Sequence, residues 1–175
     1  MPEFSELQQT AWDKNVPFSV LARERQQVSV DVTGVAIRGY DPVAYFTQKK
    51  PVPGEIMHSA FWRGAFWLFA TAENKDKFTA NPEGYMPAFG GHCAFCVASG
   101  HKLHSDPTVW VIYKGRLYLH ATEQYRTEWK KMPNEYIKLA EEKWPSIRDK
   151  EIAPEPSRRL TAVQRNAKND PKYSR

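Results

Sequence analysis

Apolar residues in this chain fall in short alternating runs separated by turn residues. Val28, Val30 and Val32 alternate with polar neighbours and predict a strand. "MHSAFW" (57–62) and "AFWLFA" (65–70) are aromatic, alternating runs on either side of Arg63-Gly64, which predicts a β-hairpin. "TVWVIY" (108–113) and "RLYLHA" (116–121) predict a second hairpin around Lys114-Gly115. Helix signals lie between and after these runs. Asp41 is placed to cap a short helix with Pro42 at its first position, and Thr71 to cap one whose inner face carries Phe78, stopped by Asn81-Pro82. Thr122 caps a helix through Met132. Pro133 opens another through about Trp144, with Ile137, Leu139 and Ala140 as its apolar contacts and Pro145 closing it. No internal repeat or low-complexity block is visible.

This order predicts one small α+β domain over residues 28–147, with antiparallel hairpins and short helices packed on them. Residues 1–27 read as a polar N-terminal arm, partly helical, and 148–175 as a basic, flexible tail. A chain of 175 residues suffices for one such core. Trp62, Trp67, Trp110 and the tyrosines are expected mainly in that core, where each N–H and O–H needs a partner.

The formal net charge is +5. From Ser146 onward eight basic residues face four acidic ones, so most of the excess belongs to the tail. No recognition motif accompanies it, and nucleic-acid binding is not expected. No apolar run is long enough to span a membrane, and no basic segment leads into an apolar one as a secretory leader would. No Ser/His/Asp set, phosphate loop or paired-carboxylate motif stands out, so no enzymatic activity is expected. Asp106-Pro107 reads as a turn, and His58 and His120 as strand-face histidines.

Chemistry concentrates in "GGHCAFCVASGHKLH" (90–104), which holds both cysteines and three of the five histidines. Gly90-Gly91 and Gly100 bracket a short helix. On it Cys93 and Cys96 are spaced i, i+3, and His92 and Cys96 i, i+4, so both pairs can share a face. A helix start favours thiolate over thiol. His101 and His104 follow on a loop able to fold back. Thiolate plus imidazole suits Cu(I) or Zn(II). The spacing is too short for a zinc finger, Val97 stands where a c-type haem motif needs histidine, and no βαβ context supports a thioredoxin-like site. Thiol–disulfide redox chemistry, or a disulfide-stabilised binding module without metal, remains the alternative.

"GYDPVAYF", "FATAENKDKF", "NPEGYMPAFGGHCAF" and "DPTVWVIYKGRLYL", with a closing Trp, Ile, Ala and Trp-Pro arrangement, resemble the stand-alone bacterial YHS-domain family over about Val35 to Ile147. The resemblance implies a small α+β domain without established catalysis. It also implies links to heavy-metal transport proteins and some oxygenases, and commonly export, hence a periplasmic location with the leader removed; a cytoplasmic one is the alternative. Cys93 matches the family cysteine. His92 replaces a usual tyrosine, and Cys96, His101 and His104 depart from the family pattern, each adding a metal-binding side chain. The expected function is therefore transition-metal binding in metal handling, copper ahead of zinc, through Cys93, Cys96, His92, His101 and His104. A metal-transport or metalloenzyme protein is the expected partner.

Overall fold

Both turns expected between aromatic strands are made. β1 (Glu55–Trp62) pairs antiparallel with β2 (Ala65–Phe69), and β3 (Asp106–Tyr113) with β4 (Arg116–His120). Each turn takes two successive positive φ values, +49° and +69° at Arg63 and Gly64, +49° and +75° at Lys114 and Gly115. That is the mirror-image turn whose twist matches the strands it joins. The computed structural model describes residues 17–152, and over them the chain is a small α+β domain with two separate two-stranded sheets. The predicted arm's residues 1–16 and the tail from 153 lie outside the described residues.

Among the described residues the α-helices are α1 (Phe18–Gln26), α2 (Ala44–Thr47), α3 (Ala72–Ala80), α4 (Pro82–Tyr85), α5 (Ala94–Ala98), α6 (Glu123–Lys131) and α7 (Pro133–Ile147). Thr71 and Thr122 cap α3 and α6, each accepting a hydrogen bond from a backbone N–H three residues on.

An internal repeat, not visible along the sequence, is plain in three dimensions. The register of the first hairpin, Ser59 with Leu68 to Trp62 with Ala65, recurs 51 positions later as Trp110 with Leu119 to Tyr113 with Arg116, and each first strand bulges at the same place. A threonine-capped helix of nine residues follows each hairpin, and each ends at a residue of unusual torsion before a proline: Asn81 (φ −149°, ψ 68°) and Met132 (φ −143°, ψ 62°). Ahead of each hairpin the chain makes three successive positive-φ residues, Ile37-Arg38-Gly39 and Phe89-Gly90-Gly91. Each triplet leads into an antiparallel bridge, Tyr40 with Pro53 and His92 with His104. The matching hydrogen bonds run from Asp41 N–H to Val52 O and from Cys93 N–H to Leu103 O. The halves share Gly39/Gly91, Gly64/Gly115, Leu68/Leu119, Thr71/Thr122, Pro82/Pro133 and Tyr85/Tyr136. Most other paired positions differ in size or polarity, which is why periodicity along the chain does not show the repeat.

The main core joins the halves: Val28, Ile37, Tyr45, Trp67, Phe69 and Phe78 pack with Leu117 and Leu119 of β4. A smaller cluster, Ala88, Ala94, Tyr118 and Trp129, closes the second half, and Val97, Ala98, Ala140 and Ile147 seat α5 on α7.

Three expectations are corrected. Val28, Val30 and Val32 do not form a strand. Asp31 accepts hydrogen bonds from the Thr33 and Val35 N–H groups and turns the chain, leaving Val30 in a lone bridge to Ala36 and Val32 exposed. Pro145 does not close the last helix, which runs to Ile147, since a proline so near the end deprives the helix of only one bond. Asp41 does not cap a helix with Pro42 at its first position: α2 starts at Ala44 with Val43 as its N-cap, and Asp41 Oδ1 accepts from the Val43 and Ala44 N–H groups while Oδ2 accepts from Ala70 N–H and the Asn74 amide. This fully buried carboxyl ties the start of α2 to the end of β2 and to α3.

Candidate functional site

The Cys/His segment occupies the place in the second half that Asp41 and its neighbours hold in the first. Its helix is shorter than the sequence predicts. α5 begins at Ala94 with Cys93 as its N-cap, and Cys93 Sγ accepts the Cys96 N–H at 3.3 Å. His92 is extended (φ −70°, ψ 160°), so the helical His92–Cys96 pairing is not made. Cys93 and Cys96 are instead joined to each other as a disulfide, with Cα atoms 5.2 Å apart, and both are buried.

His92 is also fully buried. Its Nδ1 lies 2.9 Å from the Phe89 carbonyl, and a carbonyl only accepts, so Nδ1 carries the proton. Nε2 is left as a bare lone pair with no hydrogen-bond partner. Burial pushes the His92 pKa down to about 3, which keeps the ring neutral. The bridge between His92 and His104 brings their rings to 6.2 Å in a nearly parallel stack, and Trp144 lies 5.7 Å from His92 on another side. His104 is exposed and shares a 2.9 Å hydrogen bond between Nδ1 and Ser29 Oγ. His101 is exposed too; its backbone N–H bonds to Cys96 O as the chain leaves α5.

The fold thus brings Cys93, Cys96, His92 and His104 into one segment, with His101 at its rim. While the sulfurs are bonded to each other neither is free as a thiolate ligand, and among the described residues no group of three or more His, Cys, Asp or Glu side chains is placed to hold a metal ion. In this disulfide form the residues do not fit a thiolate-held metal.

Two groups escape sequence reasoning. Lys102 is buried, and its ammonium donates to the carbonyls of Gln26, Arg148 and Lys150, fastening the C-terminal ends of α1 and α7 to the Cys/His loop. A cation at two helix C-termini is favourably placed, although burial pushes its pKa down to about 8. His120, expected as an ordinary strand-face histidine, is fully buried on β4 with neither ring nitrogen hydrogen-bonded, 5.3 Å from the Trp129 ring. Its signal in the sequence was its alignment with Phe69, visible only once the repeat is seen.

Among the described residues no helix is long and apolar enough to cross a membrane. Comparison with protein-family models, with curated proteins and with solved structures finds no match.

Proposed function

We propose that the protein works through Cys93 and Cys96 as a thiol–disulfide pair in a YHS-like, non-enzymatic domain. The observation that carries this reading is the pairing of the two sulfurs across a single helical turn. A disulfide stabilises mainly by closing a loop in the unfolded chain, and a loop of four residues gains only about 2 kcal/mol. A brace so short contributes little as structure; its value lies in its chemistry. In the dithiol form Cys93 keeps the N-cap position, where the Cys96 N–H favours thiolate. Opening the disulfide takes two electrons and two protons from two small thiols, which leave as their own disulfide. Burial of both sulfurs favours a small thiol over a protein thiol as that reductant. An oxidising compartment such as the periplasm suits the disulfide form.

A second reading is favoured by His92. A metal-ligating histidine usually donates its second ring nitrogen to a carbonyl or carboxylate, which fixes the lone pair for the metal. His92 has this arrangement, next in the chain to Cys93. Reduction would then supply two thiolates beside it, a soft set suited to copper ahead of zinc, with His104 and His101 as further candidates. A protein of metal transport or a metalloenzyme would be the partner in such handling.

The test equilibrates the protein with graded ratios of reduced and oxidised dithiothreitol, traps thiols by alkylation and counts them by mass. The redox reading expects one two-electron transition joining zero and two thiols. Two free thiols in air-equilibrated, metal-free protein would defeat it. The metal reading expects the reduced protein to hold Cu(I) against a competing chelator, and C93S/C96S to lose it.

A further inference from the structure

We propose that the cleft between α1 and the first hairpin binds a small amphipathic carboxylate, with an acyl or aryl body in the cleft and its carboxylate on Arg25. The cleft has a volume of about 510 Å³, within the range of sites that enclose small organic ligands. Leu21, Val28, Val30, Phe61 and Phe66 give it an apolar lining. Apolar walls with a few fixed polar groups are the usual composition of such sites.

The charged groups at its edge are mostly cationic: Arg25, Lys102 and Lys150 against Glu151 as the opposing carboxylate, with Gln26, Thr33 and His104 beside them. They are not equivalent. The Lys102 ammonium is committed to three backbone carbonyls, which makes it a wall of the cleft and not an anchor. Arg25 is exposed and has no ion pair or hydrogen bond from its guanidinium among the described residues, unlike Arg23 on the same helix, which pairs with Asp149 at 3.1 Å. The Arg25 guanidinium is also positioned. It lies over Gly34, where the first carbon of any side chain would come within 3.2 Å of Nη2. The absence of a side chain at Gly34 lets the flat group settle against the backbone at the edge of the cleft. A planar fork of donors so held matches a carboxylate with two oxygens.

This site uses neither sulfur, though Lys102 and His104 of the Cys/His loop line it, and its test reads binding with the disulfide intact. The probes are decanoate and its uncharged counterpart decanamide, titrated by calorimetry into the full chain. Decanoate is expected to bind, and R25Q to weaken it roughly tenfold or more while leaving decanamide unchanged, as loss of a charge-assisted hydrogen bond requires. A22F, which fills the cleft from α1, is expected to abolish both, with an unchanged melting temperature as the check on folding. Absence of heat with both probes overturns the proposal, as does decanoate binding that A22F leaves intact. Equal decanoate affinity in R25Q removes the anchor and overturns the assigned ligand class. Sedimentation that shows a dimer broken by A22F would assign the cleft to a second copy of the chain instead.

Discussion

The two halves of the molecule, Ile37–Tyr85 and Phe89–Tyr136, share one backbone plan and fill it differently. Where the first half has Asp41, the second has Cys93; Tyr40 is answered by His92, Pro53 by His104 and Phe69 by His120. Even the ring packing repeats. Phe69 meets Phe78 at 5.1 Å, and His120 meets Trp129 at 5.3 Å. In the first half the buried polar side chain has both oxygens engaged, and the aromatic is a plain hydrocarbon. The second half puts reactive sulfurs and partnerless imidazole nitrogens at the same sites. Buried polar groups without partners cost stability; among the described residues the second half keeps four such nitrogens, on His92, His120 and Trp129, against Trp62 Nε1 alone in the first, and is the half to search for function. On the function proposed above, the first copy is the scaffold and the second carries the chemistry.

The largest test of that division is Asp41→Ala. It would strand the Ala70 N–H, the Asn74 amide and two N–H groups of α2 in the core. A loss on the order of 4 kcal/mol in urea unfolding is expected. Asp41→Asn, which keeps one acceptor oxygen, should lose clearly less. A loss under about 1 kcal/mol for the alanine variant would show that the first half does not rest on this hub.

Asp41 and Cys93 also show what could be read from the chain. The hairpins, the Thr71 and Thr122 caps and the Arg63-Gly64 and Lys114-Gly115 turns are local, and turn chemistry with alternation is enough to place them. Proximity of Cys93, Cys96, His92 and His104 was legible from spacing. That His92 would leave the helix was not, because the positive-φ pair Gly90-Gly91 sets its extended backbone. Neither the second pair of bonds to Asp41 nor the carbonyl cage of Lys102 could be read locally, since their partners lie tens of residues away. The repeat escaped because β2 and β4 share only Leu68/Leu119, with Ala65 answered by Arg116 and Phe69 by His120.

His120 gives the next contrast. Burial, with a smaller contribution from the Arg126 charge, pushes its pKa down to about 3 from an ordinary 6.5. Above pH 6.5 the ring is neutral in folded and unfolded chains alike, and its contribution is fully present. As pH falls toward 3 the unfolded chain takes up the proton first, so stability is lost. Between pH 6.5 and 4 the loss from this residue should be on the order of 2 kcal/mol. His120→Phe copies the Phe69 solution of the first half. It should flatten the acid side of a stability-versus-pH curve, since His92, Arg126 and the strand partner Asp106 are common to both proteins. An unchanged slope would mean that His120 is hydrated or partnered in solution.

The disulfide should matter less to stability than either. C93S/C96S, or full reduction, is expected to lower unfolding free energy by about 2 kcal/mol or less, with the hairpins intact by circular dichroism. A loss as large as that of Asp41→Ala would make Cys93–Cys96 the hub of the second half, and would turn the redox pair into a structural brace.

The smallest effect separates the two hairpin turns. Gly64 and Gly115 sit at φ +69° and +75°, so alanine at either pays the same backbone strain, about 1 kcal/mol. Their surroundings differ. A carbon added at Gly115 meets nothing within 4 Å, whereas one at Gly64 would come within 2.5 Å of Leu21 O and 2.8 Å of Arg25 N on α1. Backbone atoms cannot turn aside as a side chain can, so Gly64→Ala must push α1 off the first hairpin. It should therefore cost roughly 1 kcal/mol more than Gly115→Ala. The excess should come with faster amide exchange along α1, because that helix is displaced while the strands stay paired. Equal costs for the two alanines would show that α1 rests on the first half loosely. The close approach of a helix to one turn and not the other would then cease to be a difference between the halves that folding has to satisfy.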